Sequence, residues 1–452
     1  MNVKIDSRKV VLGDTFIALN TLNHDGHDYV NDAILRGATS VVVEKGLYSV
    51  DTLVVNDTRA YLANYMKEHY YDQIKDLKLI GMTGTNGKTT TCYLIYEALN
   101  LLGVKTAYIG TIGFYLDDEV RPLSNTTPEC LDLYELLIEC VQAGCVYVVM
   151  EVSSHALDMG RVDGLMYDYV IFSNLTEDHL DYHSNFRNYA LAKQKLFYKL
   201  KPSGKAIINV DDDYKQYFLI DENDNVTYGF GSADYQILND SMDSFHSIFS
   251  LKNGNNIIDY ESKLLGKHNI YNLTCAIIVL TFIMPDIDLR PVVFKLKAPK
   301  GRMDTISYGD NLIVIDYAHT PDAVSNILLA VYELHPSHIY TVVGCGGERD
   351  RHKRPIMASV ACQYSDECIF TSDNPRTEDP EHILSDMVQS LDKQNYEIEV
   401  NREKAIYMGI QKLVKNDILL VLGKGHENYQ VIQDIRYPFD DKVVVENIIS
   451  SN

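Results

Sequence analysis

The stretch "GMTGTNGKTTT", residues 81–91, decides how the rest of this chain is interpreted. An apolar run typical of a strand leads into it, and "TTCYLIYEALNLLG", in which apolar residues recur at helical spacing, follows. In a loop between a strand and a helix, Gly84 and Gly87 allow backbone N–H groups to face phosphate oxygens. Lys88 adds a positive charge, and Thr89 offers a hydroxyl to Mg²⁺. The stretch therefore predicts a site for a nucleoside triphosphate.

The exact sequence of the loop indicates which class of nucleotide-binding protein it is typical of. The strict phosphate-loop pattern has glycine at position 82, where this chain has Met82 with Gly81 one place earlier. The variant "TGTNGKTT" resembles the ATP loop of the Mur ligases and of their folylpolyglutamate synthetase relatives. Those enzymes use ATP to join a carboxylate to an amine.

Length and composition indicate a large globular protein. A chain of 452 residues exceeds one ordinary core, so we expect about three domains. Hydrophobic residues make up 46% and charged residues 23%, a globular composition without low-complexity tracts. Because 63 acidic residues outnumber 41 Lys and Arg, the net charge of −22 argues against general binding to nucleic acid or to an anionic membrane. A local basic pocket for an anionic substrate is compatible with this charge.

The N-terminal residues and the cysteines predict a cytoplasmic protein. "MNVKIDSRKVV" lacks the apolar core of a signal peptide, and no stretch approaches the ~18 apolar residues that a membrane span needs. The eight cysteines show no CxxC spacing, so we expect neither a zinc site nor a disulfide framework. We interpret them as mostly buried thiols in a reducing compartment.

Residues 1 to about 78 are predicted to form an α/β segment. Strands are expected at "DTFIAL" and "SVVVEKG", and a helix at "YVNDAILRGA" that ends at Gly37. Asp6, Ser7 and Arg8, and the polar loop at 23–29, are candidates for binding a ligand. Polar residues are ordinary in loops, and no catalytic group stands out here.

Residues of about 79–299 alternate strands and helices as a parallel sheet requires. The strand "VYVVME" ends in Glu151 and is followed by "SSHAL". The strand "YVIFSNL" is followed by "TEDHLDYH", which supplies Asp178, His179, Asp181 and His183. Ligands bind at the carboxyl edge of such sheets, so these groups beside a phosphate loop predict a magnesium site.

A long helix is predicted over "SNFRNYALAKQKLFYKL". It carries Lys193, Lys195, Lys199 and Lys201 on the face opposite its Leu, Phe and Tyr residues. Lysines on such a face are ordinarily solvated, and periodicity singles out none of them. Further on, "LLGKHNIYNLTCAIIVL" predicts a loop followed by a buried helix.

From about residue 300 the alternation restarts, with strands at "LIVIDYA", "IYTVVG", "ECIFTS" and "DILLVLG". Each strand ends in a polar or glycine-rich loop. Four successive strand ends supply Asp316, His319, Arg349, Asp373, Asn374, Arg376, Lys424, His426 and Glu427. A purely structural sheet does not require so many polar groups, so these loops predict a second ligand site.

Motifs along nearly the whole chain resemble the MurE-type members of the Mur ligase family, the tripeptide synthetases of peptidoglycan synthesis. They are "IDSR", "TGTNGKTTT", "NTTP", "EVSSHAL", "NLTEDHLDYH", "YALAKQKLF", "KGRMD", "DYAHTP", "GCGGERD", "DNPRTEDP" and "GKGHE". The resemblance implies a three-domain α/β architecture. A UDP-binding domain is expected over 1–78, a central P-loop ATPase domain with a parallel sheet over 79–299, and a Rossmann-like domain that binds the incoming amino acid over 300–452.

The resemblance also implies the residues that bind ATP and metal. For ATP they are Gly84, Thr85, Asn86, Gly87, Lys88, Thr89, Thr90, Asn272, Arg302 and Asp316. Thr89 and Glu151 are expected to hold one Mg²⁺, and His179 and a carbamylated Lys193 the second. Lys88, Glu151, His179 and Lys193 are implied as catalytic. Adding CO₂ converts lysine from a cation that would repel Mg²⁺ into an anionic oxygen ligand.

Two further sets of residues are implied for the other substrates. Ser7, Asn125, Thr126, Thr127, Ser153 and Arg161 match positions that hold the UDP-MurNAc-dipeptide. Arg349, Asp373, Asn374, Arg376, Gly423 and Glu427 match positions that hold the amino acid. Members with "DNPR" use its arginine to bind the distal carboxylate of meso-diaminopimelate, and Arg376 can form such a bidentate pair. L-Lysine lacks that carboxylate and would leave Arg376 unpaired.

The chain departs from the family pattern in two places. It begins later than usual relative to "DSR", so we expect the UDP-binding domain to lack its first helix. Met159 stands where the family usually has glutamine, which removes an amide near the sugar-peptide substrate.

Three functions follow from these patterns. The first is a cytoplasmic, monomeric ATP-dependent ligase that adds meso-diaminopimelate to UDP-MurNAc-L-Ala-D-Glu through an acyl phosphate. The second keeps this chemistry but uses L-lysine or another acceptor, such as a folate. The third is a catalytically silent nucleotide-binding or scaffolding protein descended from the ligases, which would predict loss of Lys88, Glu151, His179 or Lys193; all four are present.

Overall fold

The computed structural model describes residues 2–21, 24–242 and 246–451, without the side chain of Asp181. Two compact units are present. The first contains the residues up to Lys88 together with Leu99–Val226, and the second contains Thr89–Ala98 and the residues from Thr227 onward. Asn23, part of the polar loop proposed above, lies outside the described residues.

The N-terminal part of the first unit is a small parallel sheet with its own core. Its strands are β1 (Val3–Lys4), β2 (Thr15–Ile17), β3 (Ser40–Val43) and β4 (Asp51–Val54), and its helices are α1 (Val30–Leu35) and α2 (Thr58–Ile74), with 3₁₀ turns at Ser7–Lys9 and Gly26–Tyr29. The strands are hydrogen-bonded in the order β1-β2-β3-β4. The strands and the helix predicted for this segment are confirmed.

The rest of the first unit surrounds a sheet in which β5 is central. Its strands are β5 (Lys78–Thr83), β6 (Thr106–Gly110), β7 (Gly113–Leu116), β8 (Glu119–Arg121), β9 (Tyr147–Glu151), β10 (Tyr167–Phe172) and β11 (Leu200–Asn209). The helices are α4 (Cys130–Gln142), α5 (Ser154–Asp158), α6 (Leu180–His183) and α7 (Phe186–Gln194), with 3₁₀ turns at Phe197–Lys199 and Lys215–Tyr217. Helix α3 (Lys88–Leu101) follows β5, and its residues Thr89–Ala98 belong to the second unit.

The position of β5 in this sheet locates the predicted phosphate loop. The strand order is β11-β10-β5-β9-β6-β7-β8, and β5 pairs in parallel with both β9 and β10. These three strands are buried on both faces, as parallel strands covered by helices are. The loops after β5, β9 and β10 therefore leave the sheet side by side at its carboxyl edge.

The second unit begins with an antiparallel meander and continues into a mostly parallel sheet. The meander strands β13 (Tyr235–Met242), β14 (Ser247–Asn253) and β15 (Asn256–Ser262) follow β12 (Asn225–Gly229). The helices α8 (Lys267–Ile283) and α9 (Arg290–Lys295) come next. The buried helix predicted at "NIYNLTCAIIVL" is thus α8.

The C-terminal sheet has the order β16-β17-β21-β18-β19-β20. The strands are β16 (Asp304–Tyr308), β17 (Asn311–Asp316), β18 (Ile339–Val343), β19 (Glu367–Phe370), β20 (Tyr396–Ile398) and β21 (Ile418–Leu422), followed by the hairpin β22 (Tyr429–Ile432) and β23 (Ile435–Pro438). The helices are α10 (Pro321–Tyr332), α11 (Lys353–Tyr364), α12 (Pro380–Val388), α13 (Arg402–Lys412) and α14 (Asp441–Ser451). The four predicted strands run parallel, so their polar loops share one edge.

The long helix predicted over residues 184–200 is wrong in length and in its exposed face. Helix α7 ends at Gln194, after which the chain turns so that Leu196 and Phe197 enter the core, and Lys201 lies in β11. Lys193 is buried rather than solvated, with 2% of its surface exposed, on the same side of the helix as Tyr189 and Ala190.

Other sequence predictions concern the cysteines and membrane spans. All eight cysteines are free thiols; seven are buried and Cys145 is partly exposed. Among the described residues, no helix combines the length and apolar character needed to cross a bilayer.

Candidate functional site

The predicted phosphate loop lies between β5 and α3 with a backbone that requires glycine. Gly84 and Gly87 have φ of +150° and +86°, a region that side chains disfavour. A Cβ atom on Gly84 would also lie 2.0 Å from the Ser173 hydroxyl oxygen. The close approach of this loop to the loop after β10 therefore depends on glycine at position 84.

The loop after β10 holds part of the phosphate loop by hydrogen bonds. The Thr85 N–H donates to the Asn174 carbonyl (2.8 Å), and the Asn86 N–H donates to Asn174 Oδ1 (2.9 Å). The Ser173 hydroxyl donates to the Asn86 carbonyl (2.6 Å). The N–H groups of Thr85 and Asn86 therefore bind the protein. The backbone N–H groups predicted to face phosphate would then be those at the start of α3.

Two lysines converge on the carbonyl of Gly84. Lys88 Nζ donates to the Gly84 and Thr85 carbonyls (both 2.8 Å), and Lys193 Nζ donates to the Gly84 carbonyl (2.7 Å). Burial, and next the charge of Lys88, hold the pKa of Lys193 well below its usual value. Within the described residues the Lys193 amine has no ion-pair partner, and it lies 4.5 Å from the centroid of the Tyr189 ring. Burial thus favours the neutral form of this amine beside the loop.

Glu151 ends β9 and is completely buried. Its Oε1 accepts hydrogen bonds from the Tyr108 hydroxyl (2.5 Å) and the Thr111 N–H (2.8 Å), and its Oε2 accepts one from the Thr111 hydroxyl (3.1 Å). These donors fix the orientation of both carboxylate oxygens. Such a group is suited to binding a cation.

The loop after β10 brings several imidazoles together. His179 adopts a left-handed backbone conformation (φ +54°), and its ring lies 4.8 Å from that of His155. The His183 ring centroid lies 5.5 Å from that of His155, and His183 Nε2 lies 3.0 Å from Ser154 Oγ. Burial lowers the pKa of His183, which favours the neutral imidazole. Asp178 Oδ2 lies 3.4 Å from His179 Nε2.

The donor atoms of these side chains determine whether they can bind a metal ion. In the described part of the chain, no group of three or more His, Cys, Asp and Glu side chains forms a ready metal site. The predicted set includes Thr89 and Lys193, and the unmodified lysine is a nitrogen donor that Mg²⁺ does not favour. The residues would fit Mg²⁺ if Lys193 carried a carboxylate, and the burial of its amine favours the neutral form that such a modification requires.

The predicted acceptor residues around Thr127 form one hydrogen-bonded group. The Thr127 hydroxyl donates to the Glu151 carbonyl (2.8 Å) and accepts from the Ser153 N–H (3.1 Å), while Arg161 Nη1 donates to the Thr127 carbonyl (3.1 Å). Burial lowers the pKa of Arg161. Glu129, which the sequence prediction missed, lies 2.9 Å from Arg161 Nε and fixes its orientation.

The remaining predicted acceptor residues are more scattered. The Thr126 hydroxyl lies 3.0 Å from that of Thr111, which also binds Glu151. Asn125 is exposed in the same turn. Ser7 is buried in the N-terminal sheet region, where its hydroxyl donates to Asp32 (2.7 Å). Met159 Sδ lies 3.4 Å from Arg161 Nη2, so a sulfur stands where an amide was expected.

In the second unit, Thr89 and Thr90 are buried near the start of α3. Asn272 is buried in α8, where its Oδ1 accepts from the Thr91 hydroxyl (3.1 Å) and its Nδ2 donates to Asn269 Oδ1 (3.0 Å). Both polar ends of the Asn272 side chain are therefore engaged by the protein.

Asp316, at the end of β17, is held by backbone donors. Its Oδ1 and Oδ2 accept from the N–H groups of Ala318 and Met303 (both 2.7 Å). Burial raises the pKa of Asp316, and the charge of Arg302 opposes this change. The Arg302 guanidinium lies 4.7 Å from the centroid of the Tyr317 ring.

The predicted amino-acid site contains charged side chains in which two carboxylates surround one buried lysine. Lys424 is fully buried; its Nζ donates to Glu427 Oε2 (3.0 Å) and to Asn374 Oδ1 (3.3 Å), and it lies 3.6 Å from Asp373 Oδ1. Asn374 Nδ2 donates to the same Glu427 oxygen (2.8 Å). Asp373 Oδ1 is buried and has no hydrogen-bond partner among the described residues. One lysine thus faces two carboxylates, and one acceptor oxygen remains for an ammonium donor.

Arg376 follows this set in the same loop. Its backbone is left-handed (φ +55°), and its Nη1 donates to the Gly347 carbonyl (2.7 Å) in the loop after β18. Arg349 is exposed in that neighbouring loop, and Gly423 (φ +113°) lies beside Asp373. The structure thus brings most of the predicted amino-acid residues together. Lys424 was predicted as part of the second ligand site but was given no role in it. Tyr108 and Glu129 were absent from the predicted sets, and only Glu129, directly after "NTTP", lies beside a motif that could have signalled it.

Comparisons with known proteins agree with this geometry. Family models match residues 1–70 (Mur ligase family, catalytic domain), 82–280 (Mur ligase middle domain) and 301–425 (Mur ligase, glutamate ligase domain). A protein of Fusobacterium nucleatum named UDP-N-acetylmuramoyl-L-alanyl-D-glutamate--2,6-diaminopimelate ligase is 41% identical over 459 residues, covering 99% of this chain and 93% of its own. A Bacillus cereus protein of the same name is 39% identical over 463 residues, covering 99% and 94%.

Solved structures show the same relationship. A structure with that enzyme name is 35% identical, with a TM-score of 0.72, and the match covers 99% of this chain and 94% of that one. The MurF ligase of Thermotoga maritima, solved with ADP, shares the fold at 17% identity with a TM-score of 0.70, covering 99% of this chain and 97% of its own. The predicted three-domain α/β fold class is confirmed, and the chain belongs to the Mur ligase family.

Proposed function

We propose that this protein is an ATP-dependent ligase that adds meso-diaminopimelate to UDP-MurNAc-L-Ala-D-Glu. The relatives named for this reaction align with nearly the whole chain. The observation that carries the proposal is the buried amine of Lys193, 2.7 Å from the phosphate-loop carbonyl of Gly84. Burying an unpaired lysine is costly, and a ligase that transfers a phosphoryl group to form an acyl phosphate needs cations beside the phosphate loop.

The reaction proceeds in two steps. A carboxylate oxygen of the dipeptide attacks the γ-phosphorus of ATP, the bond to ADP breaks, and an acyl phosphate forms. The amine of the incoming amino acid then attacks the acyl carbon, loses a proton, and phosphate departs. Lys88 contributes positive charge to the transferring phosphoryl group, so catalysis is mainly positioning and electrostatics.

The metal residues have distinct tasks in this proposal. Thr89 and Glu151 would hold one Mg²⁺, and His179 and carbamylated Lys193 the second. When bound, the ions neutralise phosphate oxygens. Tyr108 and Thr111 keep the Glu151 carboxylate oriented, and the low pKa of Lys193 keeps its amine ready for carbamylation.

The other predicted residues retain their proposed roles. ATP would contact Gly84, Thr85, Asn86, Gly87, Lys88, Thr89, Thr90, Asn272, Arg302 and Asp316, with Thr85 and Asn86 contributing through groups other than their N–H donors. The dipeptide substrate would contact Ser7, Asn125, Thr126, Thr127, Ser153 and Arg161. We further propose domains over 1–78, 79–299 and 300–452, a monomer, and a cytoplasmic location.

The residues proposed to bind the amino acid form two groups, one for its ammonium group and one for its carboxylate groups. Asp373 and Glu427 would receive an ammonium group, because Asp373 Oδ1 lacks a donor and both carboxylates share Lys424. Arg376, with Arg349, Asn374 and Gly423, would receive carboxylate. Arg376 distinguishes diaminopimelate from lysine, since lysine has no second carboxylate to pair with it.

The test is ATP-dependent phosphate release with UDP-MurNAc-L-Ala-D-Glu and Mg²⁺, offering meso-diaminopimelate and L-lysine separately. We expect turnover with diaminopimelate and at least about a hundredfold lower kcat/KM with lysine. Turnover with lysine alone would retain the ligase and overturn the role of Arg376. Absence of turnover with either amine would overturn the proposed reaction and direct attention to Met159 and to another acceptor.

A further inference from the structure

The hairpin of residues 429–438 leaves the amino-acid loop "GKGHE" and contacts the "DNPR" loop. It consists of β22 and β23 joined by the two-residue turn Gln433–Asp434. The Tyr429 ring lies 5.7 Å from Lys424 Nζ and 4.6 Å from the Arg436 guanidinium carbon. The Phe439 N–H donates to the Asn428 carbonyl (3.0 Å) and closes the base of the hairpin.

One edge of the hairpin is hydrogen-bonded along the whole "DNPR" loop. Gln430 Nε2 donates to the Asp373 carbonyl (2.6 Å), and the Val431 N–H donates to Asn374 Oδ1 (2.9 Å). The Arg376 N–H donates to the Val431 carbonyl (3.0 Å). The Gln433 N–H in turn donates to the Arg376 carbonyl (2.7 Å). Each of the three loop residues proposed to bind the amino acid is thus bound by the hairpin.

Arg376 depends on this support more than its neighbours do. A left-handed backbone is unfavourable for a residue with a side chain, and it persists where the surroundings fix it. The hairpin binds both the N–H and the carbonyl of Arg376, so it fixes this conformation from both sides. The Arg376 guanidinium is separately held by the Gly347 carbonyl.

We propose that the hairpin of residues 429–438 is a specificity element, in which Gln430 is a positioning residue that holds the "DNPR" loop so that Arg376 meets the distal carboxylate of the amino acid. This inference rests on the proposed function. Among the described residues, the Gln430 side chain donates to the Asp373 carbonyl and to the Ser372 hydroxyl (3.4 Å), so its influence on the substrate passes through the loop.

The first test uses Gln430→Glu and Gln430→Met. Both keep the length of the side chain and remove its N–H donor, and the carboxylate of the first would also face the Asp373 carbonyl. We expect KM for diaminopimelate to rise about tenfold in Gln430→Met, and further in Gln430→Glu, as expected for loss of a partly buried hydrogen bond. KM for ATP and for UDP-MurNAc-L-Ala-D-Glu should stay within about twofold of wild type.

The matched control is Gln411→Met, an exposed glutamine on α13. It should leave all three KM values unchanged. Circular dichroism and thermal midpoints of the variants show whether each folds. Equal losses in all three KM values, or in kcat alone, would indicate general destabilisation and overturn the inference.

A double-mutant cycle identifies the route of the effect. If Gln430 acts through Arg376, then Gln430→Met should change kcat/KM for diaminopimelate by less than about twofold in an Arg376→Ala background. Additive effects would overturn the inference. No diaminopimelate turnover by wild type would overturn it together with the proposed function. Turnover by wild type with unaffected Gln430 variants would overturn the inference alone.

Discussion

Lys193 carries a buried amine that has no ion-pair partner among the described residues. Its pKa is depressed first by loss of water and then by the nearby charge of Lys88. An uncompensated buried ammonium is costly, so the neutral amine is favoured. The amine lies 2.7 Å from the phosphate-loop carbonyl of Gly84, which is consistent with the chemical role proposed for it.

The carbamate role of Lys193 predicts a rescue. Lys193→Ala should lower ligase kcat by at least about a hundredfold, because a cation ligand is lost, and added acetate or propionate should restore part of it by occupying the vacated space. Phosphate release with and without the added acid measures both effects. Lys195→Ala, two residues away with a side chain 47% exposed, is the control and should retain activity. Full activity of Lys193→Ala without added acid would contradict the assignment.

The contact of Met159 with Arg161 predicts that two substitutions at position 159 change the KM for the dipeptide substrate in opposite directions. Its sulfur is a weak acceptor for Arg161 Nη2, and an amide oxygen accepts more strongly. Met159→Gln should lower KM for UDP-MurNAc-L-Ala-D-Glu about threefold, the effect of a fraction of a hydrogen bond. Met159→Leu, which removes the acceptor, should raise it. Steady-state kinetics with the other substrates saturating measures both, and a shift of both variants in the same direction would contradict this role of residue 159.

Among the elements, the loops after β18 and β19 are joined by a buried arginine cluster. Arg354 on α11 is fully buried and donates through Nη1 and Nη2 to the two carboxylate oxygens of Glu378 (2.9 and 2.8 Å). Glu378 Oε2 also accepts from the Glu348 N–H (3.1 Å). These hydrogen bonds, that of Arg354 above all, lower the pKa of Glu378 to about 2.

This cluster predicts a pH-dependent effect on stability. Because the pKa of Glu378 is lower in the folded protein than its ordinary 4.5, its contribution is complete above pH 4.5 and is lost as the pH falls toward 2. Glu378→Gln should reduce the free energy of unfolding by about 3 kcal/mol at pH 7, since it leaves buried Arg354 partly unpaired. The difference from wild type should shrink below pH 4.5. Denaturation midpoints against pH measure it; a difference that grows toward acid pH would contradict it.

Glu381→Gln provides the control for this prediction. Glu381 lies in the first turn of the same helix, α12, and is exposed. Removing the charge of Glu381 should lower the free energy of unfolding by no more than about 0.5 kcal/mol, the usual effect of a charge near a helix terminus.

The turn of the 429–438 hairpin predicts a stabilising substitution. Gln433 and Asp434 both have positive φ, +52° and +60°, which corresponds to a turn that favours Asn-Gly. Asp434→Gly should stabilise the hairpin by about 0.5–1 kcal/mol, because glycine adopts this conformation without a side-chain penalty. Slower hydrogen exchange of the Gln433 N–H measures the effect, and Asp434→Val should accelerate it.

Much of the fold could be predicted from the sequence because local patterns determine it. The apolar strands β5, β9 and β10 and the glycines of the phosphate loop have few alternative structures. The end of α7 depended instead on where Leu196 and Phe197 could be buried, which periodicity does not specify. Contacts across long sequence separations, such as Glu129 with Arg161 or Gln430 with Asp373, follow from the assembled fold.

For the whole molecule, the net charge of −22 predicts weak interaction with polyanions. Self-repulsion and repulsion from like charge act over about 10 Å at 0.1 M salt, so they are strong in dilute buffer. The protein should flow through a heparin column at about 0.05 M salt and bind an anion exchanger. Retention on heparin that is removed by UDP-MurNAc-L-Ala-D-Glu would instead locate a basic substrate pocket.

The distribution of thiols has a practical consequence for following this protein in solution. Seven of the eight sulfhydryls are enclosed, and Cys145 alone is partly accessible, with a pKa held below its ordinary value by the neighbouring Cys140 thiol. A maleimide fluorophore should therefore attach at one position of the native chain without any cysteine being removed. A titration with a chromogenic disulfide reagent should count one equivalent before urea is added and eight after it. The natural sequence thus already carries a single reporter position.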